Sequence, residues 1–104
     1  MMPGIVAGGR PLLSVLTQSL RLAVAHATSP YITIYNTSDW SKVANPAVLP
    51  VNAANGVAFN PSGTLMAVAH ATSPYITIYN TSDWSKVANP GSLPPDTGNG
   101  VAFG

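Results

Sequence analysis

The chain has 104 residues, enough for one small domain, and its composition excludes several classes of protein. Only 7% of the residues are charged, the formal net charge is +1 and 46% are hydrophobic, which argues against nucleic-acid binding and against disorder. With no cysteine there is no disulfide framework and no thiolate metal site. The sequence therefore does not indicate whether the protein resides in an oxidising or a reducing compartment. No apolar stretch reaches the ~18 residues that a transmembrane helix needs, so no membrane partner is expected.

Residues 1–21 form an N-terminal segment that is not repeated elsewhere in the chain. Leu12–Leu20 has the composition of an amphipathic helix or of a poor secretory signal peptide. A signal peptide needs a basic start, an apolar core and a small-residue cleavage site. Several glycines and prolines, together with Arg10, interrupt that pattern, so the sequence argues against a signal peptide.

From residue 22 onward the sequence repeats with a period of 44 residues. Residues 22–59 and 66–103 differ at seven of 38 positions, and six of the seven lie between Ala47 and Ala54. A period of 20–50 residues is typical of repeat architectures, in which one unit cannot bury its apolar face alone. Such proteins usually stack at least three units, and this chain has barely two.

Each repeat contains four short strand signals with turns between them. Along one period, Gly56–Phe59 is a short apolar run, Leu65–His70 is apolar without polar alternation, and Tyr75–Tyr79 is β-branched and aromatic. Trp84–Val87 is a more polar fourth strand, typical of an exposed edge. The first copy predicts strands at Leu22–Ala27, Tyr31–Tyr35 and Trp40–Val43.

Four strands in about 40–45 residues make one blade of a β-propeller, and the sequence resembles the WD-repeat family. Val57–Gly63 (VAFNPSG) is similar to the Val-Ala-Phe-Ser-Pro-Asp-Gly that ends the inner strand in that family, and Leu65–Ala69 to the apolar run that follows. Tyr35-Asn36 and Tyr79-Asn80 stand where the family has Trp-Asp. The family's Gly-His dipeptide and the Asp of its tight turn are absent, so the resemblance implies divergent blades without the usual buried tetrad.

The same family consensus suggests an origin for the N-terminal segment. One nucleotide sequence that encodes Val-Ala-Phe-Ser-Pro-Asp gives Leu-Leu-Ser-Val-Leu-Thr when read one base later, which is Leu12–Thr17. We therefore hypothesise that residues 1–21 are a blade translated out of frame and expect them to be poorly ordered. Chance is the alternative, because codon degeneracy makes such matches easy, and the coding DNA would decide between the two.

The predicted fold class is all-β, with two four-stranded antiparallel β-propeller blade equivalents that form an incomplete propeller. The first blade repeat covers residues 22–59, and the second covers residues 60–104 and ends in the inner strand of a missing third blade. The copies agree at solvent-exposed positions such as Ser38 and Ser82, which indicates a recent duplication and favours a fragment of a longer repeat protein.

Candidate chemistry is sparse in both repeats. His26 and His70 each end a second strand, and one histidine per blade is too few for a metal site, which needs three or four ligands. A histidine satisfied by backbone or hydroxyl groups is the better interpretation. Asp39 and Asp83 lie beyond the third strand, on the order of 16 Å from the histidine of the same blade at ~3.3 Å per residue. No catalytic residue, metal or cofactor is therefore predicted, and the chain is not expected to be an enzyme.

The aromatic residues recur once per blade, and those within strands predict core and inter-blade packing. Trp40 and Trp84 follow polar turns and are the best candidates for a contact surface, since Trp and Tyr dominate binding hot spots. The loops 28–30, 47–54 and 91–98 are expected on a propeller face, where such scaffolds usually bind. The candidate interaction surface comprises Trp40, Trp84, His26 and His70.

The family resemblance implies a non-enzymatic repeat module of a β-propeller scaffold that holds a protein partner on its loop faces. Two alternatives stay open. One is a fragment of a propeller enzyme or a carbohydrate-binding propeller, and the other is a truncated gene product with no independent function. Unpaired blade edges and uncovered apolar faces favour self-association and poor solubility. The sequence does not indicate the partner, the host or the compartment.

Overall fold

A computed structural model describes residues 20–104, and this part of the chain is all-β, as predicted. It holds five strands in two antiparallel sheets, one with two strands and one with three, and no helix occurs among the described residues. The strands are β1 (Arg21–Ala25), β2 (Ile32–Asn36), β3 (Ala54–Phe59), β4 (Leu65–His70) and β5 (Ile76–Asn80). The helix, signal-peptide and out-of-frame interpretations of residues 1–21 lie outside the described residues, apart from Leu20 and Arg21.

The two repeats form hairpins with the same register. The first hairpin is β1 with β2, where Leu22 lies opposite Tyr35, and the second is β4 with β5, where Met66 lies opposite Tyr79. Alternate residues of a strand point to opposite faces, so each hairpin has a face with the tyrosine and a face with the two isoleucines of its ITIYN strand. The Tyr face comprises Leu22, Val24, Thr33 and Tyr35 in the first hairpin and Met66, Val68, Thr77 and Tyr79 in the second. The Ile face comprises Ala23, Ala25, Ile32 and Ile34 in the first hairpin and Ala67, Ala69, Ile76 and Ile78 in the second.

Strand β3 joins the two repeats. Its residues follow the first hairpin in the sequence, yet they pair with β4 of the second sheet through a bulge between Ala54 and Gly56. The Ala54 N–H donates to the His26 carbonyl at 3.1 Å, which ties the start of β3 to the end of the first hairpin. The first repeat therefore supplies one strand of the next sheet.

The core lies between the two hairpins. Ile32 and Ile34 from the Ile face of the first hairpin pack with Met66, Val68 and Tyr79 from the Tyr face of the second. All five side chains are fully or almost fully buried. The Tyr face of one repeat is thus packed on the Ile face of the repeat before it.

The predicted fourth strands do not form as strands, and the count of four strands per repeat is not confirmed. Trp40–Val43 and Trp84–Val87 each contribute one isolated bridge, in which Tyr35 pairs with Lys42 and Tyr79 with Lys86. Both tryptophans have a left-handed backbone, with φ values of 62° and 61°, which is incompatible with an extended strand. A proline three residues after each Val ends the segment, because it has no N–H to donate to a ladder.

The inner strand predicted for a third blade is also absent from the described residues. Residues 100–103 form no ladder. The backbone there runs past β3, so that a Cβ added to Gly56 would lie only 3.1 Å from the Gly100 Cα. Within the described part of the chain, no helix is long and apolar enough to cross a membrane.

Candidate interaction surface

The turn that carries Trp40 is held by a dense set of hydrogen bonds. The Trp40 N–H donates to the Asn36 carbonyl at 2.8 Å, and the Asn36 N–H donates to the Ser41 carbonyl at 2.9 Å. The Asp39 carboxylate accepts from the Ser41 hydroxyl at 2.7 Å and from the Ser41 N–H at 3.0 Å. Asn, Ser and Asp side chains bond readily to nearby backbone, which explains why this polar sequence closes a turn.

The same bonds shift the titration of the turn carboxylates. Donation from the Ser41 side chain, and next from its backbone N–H, lowers the pKa of Asp39 below its ordinary value. Ser85 lowers the pKa of Asp83 in the same way. The serine donors therefore favour the ionised form of each carboxylate over the protonated form.

The two tryptophans are placed differently although their turns are alike. The Trp40 side chain is 62% exposed, whereas Trp84 is partly buried and packs against the hydrophobic core. Both backbones are left-handed, a conformation that bulky residues rarely adopt. Of the two predicted contact residues, Trp40 offers the larger accessible surface.

The histidines occupy equivalent positions and make equivalent bonds. In His70 the Nδ1 atom lies 2.8 Å from the Thr72 carbonyl, to which it donates, and Nε2 lies 2.8 Å from the Thr77 hydroxyl. In a neutral ring Nε2 then accepts from that hydroxyl. His26 repeats the arrangement with Thr28 and Thr33. Backbone and hydroxyl partners of this kind are those expected of a structural histidine.

The exposure of the two histidines differs, as it does for the tryptophans. His70 has no exposed surface, so it offers nothing to a partner in this structure, and His26 is partly exposed. Neither histidine is hydrogen-bonded to Asp39 or Asp83 among the described residues. Within residues 20–104 no three His, Asp or Glu side chains come together as metal ligands could.

Sequence reasoning missed that the loop 47–54 is bonded to the second repeat. The buried Tyr79 hydroxyl donates to the Val48 carbonyl at 2.6 Å, and the Asn52 amide donates to the Thr72 hydroxyl at 3.3 Å. Burial raises the pKa of the Tyr79 phenol well above its ordinary value of 10.0. Among the described residues, the Val48 and Val51 side chains of this loop stay exposed. The one sequence signal for the Tyr79 bond was the tyrosine itself, because a buried tyrosine needs a hydrogen-bond partner for its hydroxyl.

A groove of about 550 Å³ lies at the opposite end of the strands from the histidines. Its lining includes Arg21 and Phe59 together with the turn 60–63. The Nε atom of Arg21 is buried there without a hydrogen-bond partner in the described structure. Neither the groove nor Arg21 was indicated by the repeat pattern, because Arg21 precedes the repeated sequence.

Comparisons with known proteins give no relative for this chain. No family model, no curated protein and no solved structure matches it. The resemblance to WD-repeat blades therefore stays a prediction from the sequence.

Proposed function

We propose that this chain is a non-enzymatic repeat module of a β-propeller scaffold that binds a protein partner through its loops, with Trp40 as the anchor of the contact. The observation that carries the proposal is the exposed indole of Trp40 on a turn fixed by hydrogen bonds. The antiparallel sheets, packed face to face with one repeat supplying a strand to the next sheet, support the propeller part of the proposal.

A rigid exposed tryptophan is well suited to binding. Tryptophan buries a large area on contact and is enriched among the few residues that dominate binding free energy. Because the turn from Asn36 to Ser41 is already ordered, a partner would lose little conformational freedom of this loop when it binds. The left-handed backbone of Trp40 is a local strain of the kind that clusters at binding sites.

The surroundings of Trp40 indicate the kind of partner surface. Asp39 is engaged by Ser41, and the Lys42 ammonium donates to the Asn45 side chain at 2.7 Å and to the Val43 carbonyl at 3.2 Å. The nearby charges are thus satisfied within the chain. We infer a partner that offers an apolar pocket for the indole, with a polar rim, in place of a strongly charged surface.

The non-enzymatic part of the proposal rests on the histidines. Both rings use their two nitrogen atoms in bonds to threonine residues of the same repeat. A general base needs a nitrogen within reach of its substrate proton. These bonds favour a structural role for His26 and His70.

A peptide-display library provides a probe that does not depend on knowing the host. Peptides selected on the full chain are titrated against it and against Trp40→Ala and Val51→Ala, which truncate two exposed apolar side chains at different places. We expect Trp40→Ala to weaken binding about 30-fold, equivalent to about 2 kcal/mol, as for a hot-spot residue. Val51→Ala, the matched control, should change binding little.

Tryptophan fluorescence locates the contact in the same experiment. In Trp84→Phe the only tryptophan is Trp40, so its emission should start at long wavelength and shift to shorter wavelength when a peptide covers it. Selected peptides that bind Trp40→Ala as well as the unmodified chain, and that leave this emission unchanged, would refute Trp40 as the anchor.

A further inference from the structure

The two hairpin faces that point away from the core have nearly the same sequences as the two faces that pack on each other inside the chain. Inside the chain, the Tyr face of the second hairpin packs on the Ile face of the first. The Tyr face of the first hairpin and the Ile face of the second point away from this contact. Since the repeats are nearly identical, each outer face has almost the same sequence as one side of the internal contact.

The exposure of matched residues shows which halves are uncovered. On the Tyr face, Leu22 is 46% and Val24 44% exposed, whereas the equivalent Met66 and Val68 are both 0% exposed. Leu and Met differ little in volume, so the substitution at this position preserves the packing.

On the Ile face the isoleucines show the reverse order, because Ile32 and Ile34 are buried while Ile76 and Ile78 are only partly buried. Ala67 and Ala69 of the same face are already buried, and the chain near Gly98 passes close to Ala69, so the uncovered part of this face is the isoleucine strand.

We propose that a second copy of this chain docks head to tail, with the Tyr face of its first hairpin on the Ile face of the second hairpin of its neighbour. The contact is heterologous, which means that each copy uses two different surfaces and leaves one of each free at the ends of the assembly. The paired strand residues of both faces are uncharged. Lys42, which pairs with Tyr35 at the edge of the Tyr face, donates to the Asn45 side chain and the Val43 carbonyl, so its charge is already hydrogen-bonded.

The internal contact also predicts one hydrogen bond between a docked copy and its neighbour. Tyr79 donates to the Val48 carbonyl within the chain. With the period of 44 residues, Tyr35 of one copy then donates to the Ser92 carbonyl of its neighbour. This bond uses a backbone acceptor, so the Val-to-Ser difference between the loops leaves it intact.

Trp84 packs against the core of the internal contact, so the same period places Trp40 of the docked copy at the edge of this contact. Peptide binding by Ile78→Lys, which blocks the docking contact and leaves Trp40 unchanged, distinguishes failure of the contact from failure of the proposed function.

Two variants, each blocking one of the two surfaces, test the proposal. Leu22→Lys places a charge on the exposed Tyr face, and Ile78→Lys places one on the Ile face of the second hairpin. Light scattering and analytical ultracentrifugation measure the mass of each full chain over a range of concentrations, and circular dichroism checks that β structure is retained. Where Ile78→Lys does not fold, Ile76→Lys replaces it on the same face.

We expect the unmodified chain to form assemblies with a mass above the 10.7 kDa of a single copy. Each single variant should associate about 100-fold more weakly, because an unpaired ammonium is costly to bury. An equal mixture of the two variants should form a discrete dimer, since each still carries one intact surface. Val51→Lys, a charge on an exposed residue outside both faces, should leave association unchanged.

Four results would overturn the head-to-tail contact. An unmodified chain that is monomeric at all concentrations would do so, as would a mixture of folded variants that stays monomeric. Association of Ile78→Lys alone with unchanged strength would indicate a symmetric contact between two Tyr faces. If the unmodified chain is a monomer and Leu22→Lys lowers its stability, another segment of the same chain covers the Tyr face of the first hairpin.

Discussion

The two hairpins of this molecule have almost the same sequence and the same register, yet their second strands bury opposite faces. In β2 the isoleucines are buried, and in β5 the threonine and tyrosine of the same ITIYN pentapeptide are buried. The difference arises because the second hairpin covers the Ile face of β2, whereas the first hairpin covers the Tyr face of β5. Local sequence therefore determines the hairpin and its register, whereas position in the stack determines which side chains contribute to stability.

The largest expected effect comes from truncating the matched pair Met66 and Leu22. Met66→Ala removes a fully buried side chain from the core and should lower the free energy of unfolding by about 2–5 kcal/mol. Leu22→Ala removes a half-exposed side chain and should cost about 1 kcal/mol or less. Urea unfolding followed by tryptophan fluorescence, at concentrations where the chain is monomeric, measures both.

Equal losses for the two alanine variants would contradict this comparison. They would mean that the Tyr face of the first hairpin is covered in solution as fully as that of the second. The concentration dependence of the Leu22→Ala effect would then show whether a second chain is responsible.

The next effect concerns the histidine bonds. Thr77→Val removes the hydroxyl that lies 2.8 Å from the buried His70 Nε2 and leaves that nitrogen without a partner, at a cost of about 1–3 kcal/mol. Thr33→Val removes the equivalent partner of His26, which is partly exposed, so water can replace the hydroxyl and the cost should be about 0.5 kcal/mol or less. Thermal unfolding of both variants tests the difference, and a loss at Thr33 as large as that at Thr77 would refute it.

Sequence reasoning predicted the strands better than the surfaces. The predicted strand Leu65–His70 coincides with β4, because an uninterrupted apolar run between two turns is a strong local signal. The predicted strand Tyr75–Tyr79 begins one residue too early, since Tyr75 has φ of 73°. The predicted fourth strands do not form either, because Trp40 and Trp84 have left-handed backbones. The pattern of apolar and polar residues does not indicate whether φ is positive or negative.

The candidate site shows the same division between local and tertiary information. The partners of the histidines follow from threonines two and seven residues along the chain, which a sequence places close by. The burial of His70 and the exposure of Trp40 depend on the packing of one repeat on the other. Two nearly identical repeats could not indicate which copy would be covered.

A smaller effect is expected from the tyrosine pair at high pH. Burial raises the pKa of Tyr79 above its ordinary value of 10.0, so the folded chain keeps this proton to higher pH than the unfolded chain does. The stability linked to Tyr79 is therefore fully present below about pH 10 and is lost as the pH rises above it. Tyr79→Phe should reduce this alkaline loss, and at neutral pH it should cost about 1 kcal/mol for the bond to Val48.

Tyr35→Phe is the matched control at high pH, because Tyr35 is only partly buried. Unfolding measured between neutral pH and pH 11 should show an alkaline loss in Tyr35→Phe close to that of the unmodified chain. The same alkaline loss in Tyr79→Phe as in the unmodified chain would contradict the assignment to Tyr79.

The smallest expected effect concerns the pKa values of the two turn carboxylates and should be the same in both repeats. Hydrogen bonds from Ser41 and Ser85 lower the pKa values of Asp39 and Asp83 below the ordinary 3.8, so the stability linked to each carboxylate is present above that pH and is lost as the pH falls through the lowered pKa. Carboxyl chemical shifts in an acid titration should give the two groups similar midpoints, and Ser85→Ala should raise only that of Asp83. Both turns are exposed and held by their own residues, so position in the stack should not matter there. Clearly different midpoints would show that packing between the repeats reaches even these turns, and that the division between local and tertiary effects is less sharp than the structure implies.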